Sequence, residues 1–270
     1  MGALDGRVAL ITGGARGQGR AHALALAGQG ADIALADAPG PMAELTYPLG
    51  SEEDLLATAE LVGQLGRRCL PMVVDVRDPA QVNTAVERTV RELGSLDIVL
   101  ANAGIVSTGR LEEVSDQVWQ QLMDTNLTGV FHTLRAAIPV MRQQRFGRIV
   151  ATSSMGGRMG IPELAAYNAT KWGIIGLIKS VALEVAKEGI TANVICPTTT
   201  QTPMVQPAGT GDDQEVPDDL VRRMMKANPI PQPWLQPEDV SRGVVYLVTD
   251  PGVITGSVLE VGLGGSARMH

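Results

Sequence analysis

The chain has 270 residues and a mass of 28.4 kDa, a length that favours one large α/β domain over two. Hydrophobic residues make up 44% of the chain, which is ample material for a core. The net charge of −7 and the pI near 5.0 argue against a nucleic-acid-binding surface.

Neither cysteine belongs to a recognisable redox or metal-binding motif. Cys69 and Cys196 form no CxxC pair, and we expect both to be buried apolar residues in a reducing compartment. Residues 1–7 lack the apolar core of a signal peptide, and no apolar run reaches membrane-spanning length. We therefore expect a cytoplasmic protein with no metal site and no membrane or nucleic-acid partner.

A glycine-rich turn follows the first predicted strand, Val8–Ile11, and opens into a predicted helix over Gly17–Ala27. Strand, glycine turn and helix together are the context of a dinucleotide-binding site. Without Cβ atoms the backbone can approach a pyrophosphate, whose charge lies at the helix N-terminus. The alternative is a glycine-rich turn with no ligand. The candidate cofactor-binding residues here are Gly13, Arg16, Gly17, Gln18 and Gly19.

The second predicted strand, Asp32–Ala36, ends at an acidic residue, Asp37. A carboxylate at this point can accept hydrogen bonds from the ribose hydroxyls of adenosine. It would also repel the 2′-phosphate of NADP. The sequence therefore favours NAD as the cofactor.

A long connection, residues 38–50, separates Asp37 from the next helix, which begins with a Ser51-x-x-Asp54 capping box. Loops between a strand and a helix usually have about 2–6 residues. Its prolines stiffen the segment, and long ordered loops are often functional. We call residues 38–50 the insertion.

The remaining pattern alternates apolar runs with helical segments. Predicted helices begin at Asp78-Pro79 and Pro237 and cover Asp116–Arg145 and Asp218–Ala227. The further predicted strands are Leu70–Val74, Leu96–Ala101, Ile149–Ser153, Thr191–Ile195 and Val258–Val261. This order predicts a single Rossmann-type α/β domain over residues 1–270, doubly wound, with a mostly parallel seven-stranded sheet and helices on both faces.

Three polar residues accompany the fifth strand and the helix after it. Tyr167 and Lys171 stand four residues apart, so a helix places them on one face. A neighbouring ammonium favours phenolate and lowers the pKa of a tyrosine, which is otherwise about 10. Ser154 follows the strand, and its hydroxyl can donate to a carbonyl or alkoxide oxygen. Alternatively, Tyr167 and Lys171 merely share a helix face.

The Gly-x3-Gly-x-Gly spacing, the Asn102-Ala103-Gly104 turn, Ser154 and Tyr167-x3-Lys171 together resemble the short-chain dehydrogenase/reductase family over nearly the whole chain. The resemblance implies reversible hydride transfer between NAD and a secondary alcohol or its ketone. It implies that Tyr167 exchanges the hydroxyl proton, Ser154 positions the reacting oxygen, and Lys171 lowers the tyrosine pKa and holds the nicotinamide ribose. It also implies a homotetramer.

The same resemblance assigns further residues. Asn126 would hold a water that links Lys171 to solvent, although a mid-helix asparagine can instead bond a backbone carbonyl. Asp75 and the Val76 amide would meet the adenine, and the alternative for Asp75 is an acid flanking a helix. The other implied cofactor contacts are Asn102, Ala103, Gly104, Tyr167, Lys171, Pro197, Thr200 and Thr202. The family's usual residues are replaced by Ala101, Thr198 and Gly262.

The insertion and the run at 197–204 resemble the carveol-dehydrogenase-like, mycofactocin-associated branch of the family. In that branch NAD is thought to stay bound and to be reoxidised in place by an external redox partner. The alternative for the insertion is a surface loop that touches nothing. Residues 198–236 correspond to the family's substrate lid, and their few basic residues suggest an apolar, uncharged, cyclic substrate.

Two other functions stay open at this point. One is a catalytically idle NAD-binding regulator, which would be expected to carry a damaged Asn-Ser-Tyr-Lys set. The other is an NADP-dependent ketone reductase, because a basic residue at the position of Arg16 accompanies NADP preference in some members of the family.

Overall fold

The computed structural model describes residues 2–38, 42, 45, 47–204 and 218–268. Seven strands form one sheet in the order β3-β2-β1-β4-β5-β6-β7, and each neighbouring pair is parallel. The strands are β1 Val8–Thr12, β2 Asp32–Asp37, β3 Cys69–Val73, β4 Ile98–Ala101, β5 Gly147–Thr152, β6 Ile190–Pro197 and β7 Val258–Val261. The predicted fold class is confirmed, and the described sheet is parallel throughout rather than mostly parallel.

Helices cover both faces of the sheet. They are α1 Gly17–Gly28, α2 Glu52–Gln64, α3 Pro79–Leu93, α4 Asp116–Leu122, α5 Gly129–Gln144, α6 Ala165–Val185, α7 Asp218–Ala227 and α8 Pro237–Thr249. Successive side chains of a strand point to opposite faces. In β1, Val8 and Leu10 therefore join the core beneath α3, α5 and α6, whereas Ala9 and Ile11 join the core beneath α1, α2 and α8. This explains why the strands are continuously apolar.

Two predicted helix starts have the expected caps. Ser51 Oγ accepts from the Asp54 N–H at 3.0 Å, and the Asp54 carboxylate accepts from the Ser51 N–H at 2.9 Å. Asp78 accepts from the Ala80 N–H at 2.8 Å, with Pro79 at the first helical position.

The predicted helix over Asp116–Arg145 is interrupted. A π-helical turn, Met123–Thr128, separates α4 from α5. Inside this turn the Asn126 side chain bonds the Ile105 backbone in both directions, at 2.8 and 2.9 Å. Helical periodicity could not reveal this break, because its cause is a contact with a distant turn.

The connections place a crevice at the carboxyl ends of β1 and β4. β1 lies between β2 and β4. The chain therefore adds β2 and β3 on one side of β1 and then crosses over to add β4 on the other side. Ligands of open α/β sheets bind at this point. Among the described helices, none combines the length and apolar character needed to cross a bilayer.

His22 joins α1 to α8 in the interior. Its Nδ1 lies 2.8 Å from Ser241 Oγ, which itself donates to the Pro237 carbonyl at 3.0 Å. The serine proton is therefore used, so Nδ1–H is the donor to Ser241. No described residue is a hydrogen-bond partner of the buried Nε2, and burial lowers the pKa of His22 from 6.5 to about 4.

This pKa predicts a loss of stability in mild acid. The unfolded chain protonates His22 near pH 6.5 and the folded chain near pH 4, so the unfolded state binds more protons between these values. The stability contribution is complete above pH 6.5 and should fall by roughly 3 kcal/mol as the pH drops through this window. His22→Asn, which keeps a donor at the Nδ1 position, should flatten the pH dependence of the free energy of unfolding. His132→Gln, at a partly buried site, serves as the control, and equal slopes in wild type and His22→Asn would contradict the assignment.

Candidate active site

The crevice between β1 and β4 begins at the glycine-rich turn. Gly13 has φ +67°, and a Cβ there would lie 2.8 Å from Ala103 Cα. A Cβ on Gly19 would run into the Gly13 carbonyl. Only glycine therefore allows the turn, the α1 N-terminus and the β4 turn to pack together. Gly13, Gly17 and Gly19 all border the crevice, where the α1 N-terminus favours an anion.

A hydrogen-bond network around Thr12 joins three strand ends. Thr12 Oγ1 accepts from the N–H groups of Asn102 at 3.0 Å and Ala103 at 3.1 Å. The Asn102 amide donates to the Thr12 carbonyl at 3.1 Å and accepts from Thr152 Oγ1 at 3.2 Å. Asn102, Ala103 and Gly104 all border the crevice.

Asp37 borders the crevice at the end of β2. Its carboxylate accepts from the N–H groups of Ala15 at 2.8 Å and Ala38 at 2.9 Å. Burial raises the pKa of Asp37, while these hydrogen bonds and the Arg16 charge oppose that shift. Arg16 also donates to the Pro48 carbonyl of the insertion. Asp37 thus keeps acceptor capacity at the crevice, and Arg16 is hydrogen-bonded to the insertion.

Asp75 and Val76 border the crevice on the side of β3. Burial raises the pKa of Asp75, but the hydrogen bonds and charge of Arg77 outweigh it and hold the pKa below its usual range. Arg77 Nη2 lies 2.6 Å from Asp75 Oδ2. The carboxylate is therefore committed to a local ion pair, in line with the alternative of an acid flanking a helix.

Tyr167 and Lys171 lie on one face of α6, as the four-residue spacing requires. Lys171 Nζ donates to the Thr152 carbonyl at 2.9 Å and lies 5.5 Å from the centre of the Tyr167 ring. Burial lowers the pKa of Lys171 to about 8. Burial raises the pKa of Tyr167, and a hydrogen bond with Ser154 opposes this shift. The net direction for Tyr167 is upward, so the expected lowering by Lys171 is not observed in this geometry.

Ser154 and Asn126 stand behind the crevice surface. Ser154 Oγ accepts from the Gly156 N–H at 3.0 Å and is hydrogen-bonded with Tyr167. The Asn126 amide also donates to Thr170 Oγ1 at 3.1 Å. The Asn126 side chain thus bonds Ile105 and α6, the helix that carries Tyr167. To hold a water for Lys171, Asn126 would have to use the remaining lone pair of its amide oxygen.

The predicted residues after β6 separate into two groups. Thr202 borders the crevice beside Gly17, where a Cβ would lie 3.2 Å from the Thr202 methyl. Pro197 and Thr200 are buried beneath this surface, and Thr200 Oγ1 donates to the Thr198 carbonyl at 3.0 Å. Residues 205–217 of the predicted substrate lid lie outside the described residues.

The sequence did not identify several lining residues. The described part of the insertion contributes Ala38, Met42, Tyr47, Leu49 and Gly50. Met42, Leu45 and Leu49 pack against the buried cluster of Ile105, Leu122 and Ala166, so these residues are not a surface loop that touches nothing. The other unpredicted lining residues are Val74, Ile105, Thr125, Thr152, Ser153 and Pro203. Most of these residues are next to predicted site residues in the sequence, and this proximity could have identified them.

The crevice fits a polar, anionic ligand of the dinucleotide type. Gln18 Oε1 and Thr125 Oγ1 are buried atoms of lining residues that have no hydrogen-bond partner in the described protein. Buried polar groups are usually satisfied. These two atoms and the glycine cradle therefore suit a ligand that supplies donors and a pyrophosphate.

Relatives of known name match the whole chain. It is 42% identical to (−)-trans-carveol dehydrogenase of Rhodococcus erythropolis, covering 99% of this chain and 100% of that protein. It is 38% identical to an uncharacterized NAD-dependent oxidoreductase of Mycobacterium tuberculosis, covering 97% of both chains.

Solved structures share the architecture. Carveol dehydrogenase from Mycobacterium avium in complex with NAD superposes with a TM-score of 0.94 at 41% identity, covering 99% of this chain and 100% of that chain. A short chain dehydrogenase from Mycobacterium paratuberculosis bound to NAD has a TM-score of 0.90 at 33% identity, covering 99% and 100%. The family model for short chain dehydrogenase matches residues 7–213. With its glycine cradle and its Ser154, Tyr167 and Lys171 beside one crevice, the chain belongs to the short-chain dehydrogenase family.

Proposed function

We infer that the chain is an NAD-dependent alcohol dehydrogenase/ketone reductase. One observation carries this inference: Tyr167, Lys171 and the glycine turn border the same crevice, with Ser154 hydrogen-bonded to Tyr167. A proton-transfer group thus lies beside a dinucleotide cradle, as hydride transfer to or from a carbonyl carbon requires. The relatives whose names include NAD or carveol dehydrogenase support the same activity.

The proposed cofactor contacts follow from the crevice. The glycine turn and the α1 N-terminus would receive the pyrophosphate, and Asp37 would accept from the adenosine ribose. Asp75, Val76 and Thr202 would border the two ends of the cofactor. When bound, NAD accepts the hydride from the alcohol or returns it to the ketone.

The protein's part in the reaction is to hold the hydroxyl or carbonyl oxygen of the substrate and to transfer the hydroxyl proton. Ser154 would donate to the reacting oxygen. Tyr167 would take the alcohol proton as the carbon loses its hydride, and would pass its own proton to neutral Lys171. A buried lysine with a pKa of about 8 exchanges protons readily near neutral pH, so Lys171 is suited to relay this proton onward. Asn126 would position the turn and helix that carry these groups.

The substrate class is a finer proposal. Apolar groups from Met42, Leu49, Ile105 and Met204 border the crevice, which suits an uncharged substrate. Together with the named activity of the Rhodococcus relative, they support an apolar, cyclic secondary alcohol resembling carveol. Segment 198–236 is proposed to cover this substrate.

The setting of the enzyme is also proposed. The exposed Phe131, Trp172 and Leu183 on α5 and α6 support association, and we propose a homotetramer. A single domain over 1–270, a cytoplasmic location and a mycofactocin-type external redox partner complete the proposal. The packing of Met42, Leu45 and Leu49 against the same buried cluster as Tyr167 supports an insertion that covers bound NAD and slows its exchange.

Two other functions are less well supported. An idle NAD-binding regulator does not need Ser154, Tyr167 and Lys171 placed together in a working arrangement. An NADP-dependent reductase needs a free cation near the ribose, but Arg16 interacts with Asp37 and the Pro48 carbonyl.

Replacing the proposed acid/base should remove turnover while the fold remains. Tyr167→Phe loses only the transferable proton, so we expect kcat to fall about 10²–10⁴-fold with NAD binding retained. Tyr246→Phe, on exposed α8, is the matched control. The measurement is single-turnover oxidation across a panel of secondary alcohols. A Tyr167→Phe enzyme within a few-fold of wild type would exclude this role.

Asp37 should determine cofactor choice. Asp37→Ala removes acceptors for the ribose and the charge that repels a 2′-phosphate, so kcat/KM should fall for NAD and rise for NADP. Because Asp37 also holds the Ala15 N–H, Asp37→Asn is needed as a companion that keeps an acceptor while losing the charge. A wild-type preference for NADP would contradict the assignment at its root.

The proposed insertion also predicts retained cofactor. Protein purified without added nucleotide should release about one NAD per chain on heat denaturation, because a covered cofactor dissociates slowly. Steady turnover with free NAD should be poor, and an artificial electron acceptor should restore it. Empty protein that cycles freely with added NAD would refute retention and leave the activity itself standing.

A further inference from the structure

The insertion places a phenol hydroxyl in the crevice. Tyr47 borders the crevice, and its oxygen accepts a hydrogen bond from the Val106 N–H at 2.8 Å. Val106 follows the Asn102–Gly104 turn by two residues, so this bond joins the insertion to the loop after β4. It fixes the position of the Tyr47 oxygen relative to the crevice.

The Tyr47 proton remains available. Among the residues that the structure describes, none accepts a hydrogen bond from this hydroxyl. Burial raises the pKa of Tyr47 to about 12, so the group is a neutral donor at physiological pH. Because its oxygen already accepts from Val106, the hydroxyl is polarised and its remaining capacity is to donate.

Its neighbours indicate which part of the crevice it serves. The Tyr47 hydroxyl lies close enough to Arg16 and Tyr167 for both to influence its ionisation. Arg16 belongs to the glycine turn, and Tyr167 belongs to the reacting end. Met42 and Leu49, which flank Tyr47 in the insertion, pack against the same buried cluster as Tyr167, and this places this part of the insertion toward the reacting end.

We propose that Tyr47 is a cofactor-binding residue whose hydroxyl donates to an oxygen of the nicotinamide-side half of NAD, either the second phosphate or its ribose. This inference rests on the proposed binding of NAD. The glycine turn approaches the cofactor from the sheet, and Tyr47 approaches it from the insertion. A donor held by the Val106 N–H is pre-oriented, which strengthens binding by reducing the ordering required.

The test compares Tyr47→Phe with wild type, and with Tyr246→Phe as a control at an exposed tyrosine. Phenylalanine keeps the ring packing and removes the hydroxyl. Any copurified nucleotide is first removed, and refilling of each protein is checked by the increase in Tm with NAD. Dissociation constants are then measured by calorimetry for NAD, ADP-ribose and AMP.

The three probes divide the cofactor. ADP-ribose contains the second phosphate and its ribose without nicotinamide, and AMP contains neither. Tyr47→Phe should weaken NAD and ADP-ribose about 10- to 100-fold, as for a lost hydrogen bond to a charged or well-ordered acceptor, and leave AMP within about twofold. Tyr246→Phe should match wild type with all three probes.

Each other pattern overturns the assignment. Unchanged ADP-ribose binding with weakened NAD binding would place the hydroxyl against nicotinamide, and weakened AMP binding would place it at the adenosine side. Unchanged binding of all three would make Tyr47 a packing residue. A wild-type protein that fails to bind NAD would instead refute the proposed function.

Discussion

The Thr12 hydroxyl holds together the two turns on which the crevice depends. It is 4% exposed and accepts from the backbone of Asn102 and Ala103, while the Asn102 side chain returns to the Thr12 carbonyl. This arrangement brings the turns after β1 and β4 so close that a Cβ on Gly13 would overlap Ala103. Since Thr152 bonds the same Asn102, the end of β5 is held at the same point and carries Ser154 with it. The carboxyl ends of β1, β4 and β5 are thus held together, and they form the floor of the crevice.

Burial has opposite effects on the two titratable groups beside this edge. It raises the pKa of Tyr167 and lowers that of Lys171, so both are pushed toward their neutral forms. In the proposed relay, neutral Lys171 would accept the phenol proton as the phenol takes one from the alcohol, and the ammonium so formed would then release its proton to solvent. The Thr152 carbonyl orients Lys171, and Ser154 orients Tyr167. The reacting groups are therefore positioned by the ends of β5 and by α6 together.

Because of the insertion, segments that are far apart in the sequence line the crevice together. Its described residues contact the glycine turn through Arg16 and Pro48, and they contact the loop after β4 through Tyr47 and Val106. Met42, Leu45 and Leu49 add apolar packing against the buried cluster of Ile105, Leu122 and Ala166. One connection between β2 and α2 thereby contacts both the glycine turn and the loop after β4.

The sequence alone determined the sheet, because apolar runs, glycine turns and capping residues such as Ser51 and Asp78 are local signals. It also determined the Tyr167–Lys171 face, since helix geometry fixes residues four apart. Only the tertiary structure decided the π-helical break at Asn126 and the entry of Tyr47 into the crevice. β4 likewise begins at Ile98 rather than Leu96, because the Leu96 backbone bonds the Gln144 side chain. Each of these features depends on a partner far along the chain, and residue spacing carries no information about such contacts until the strands are assembled.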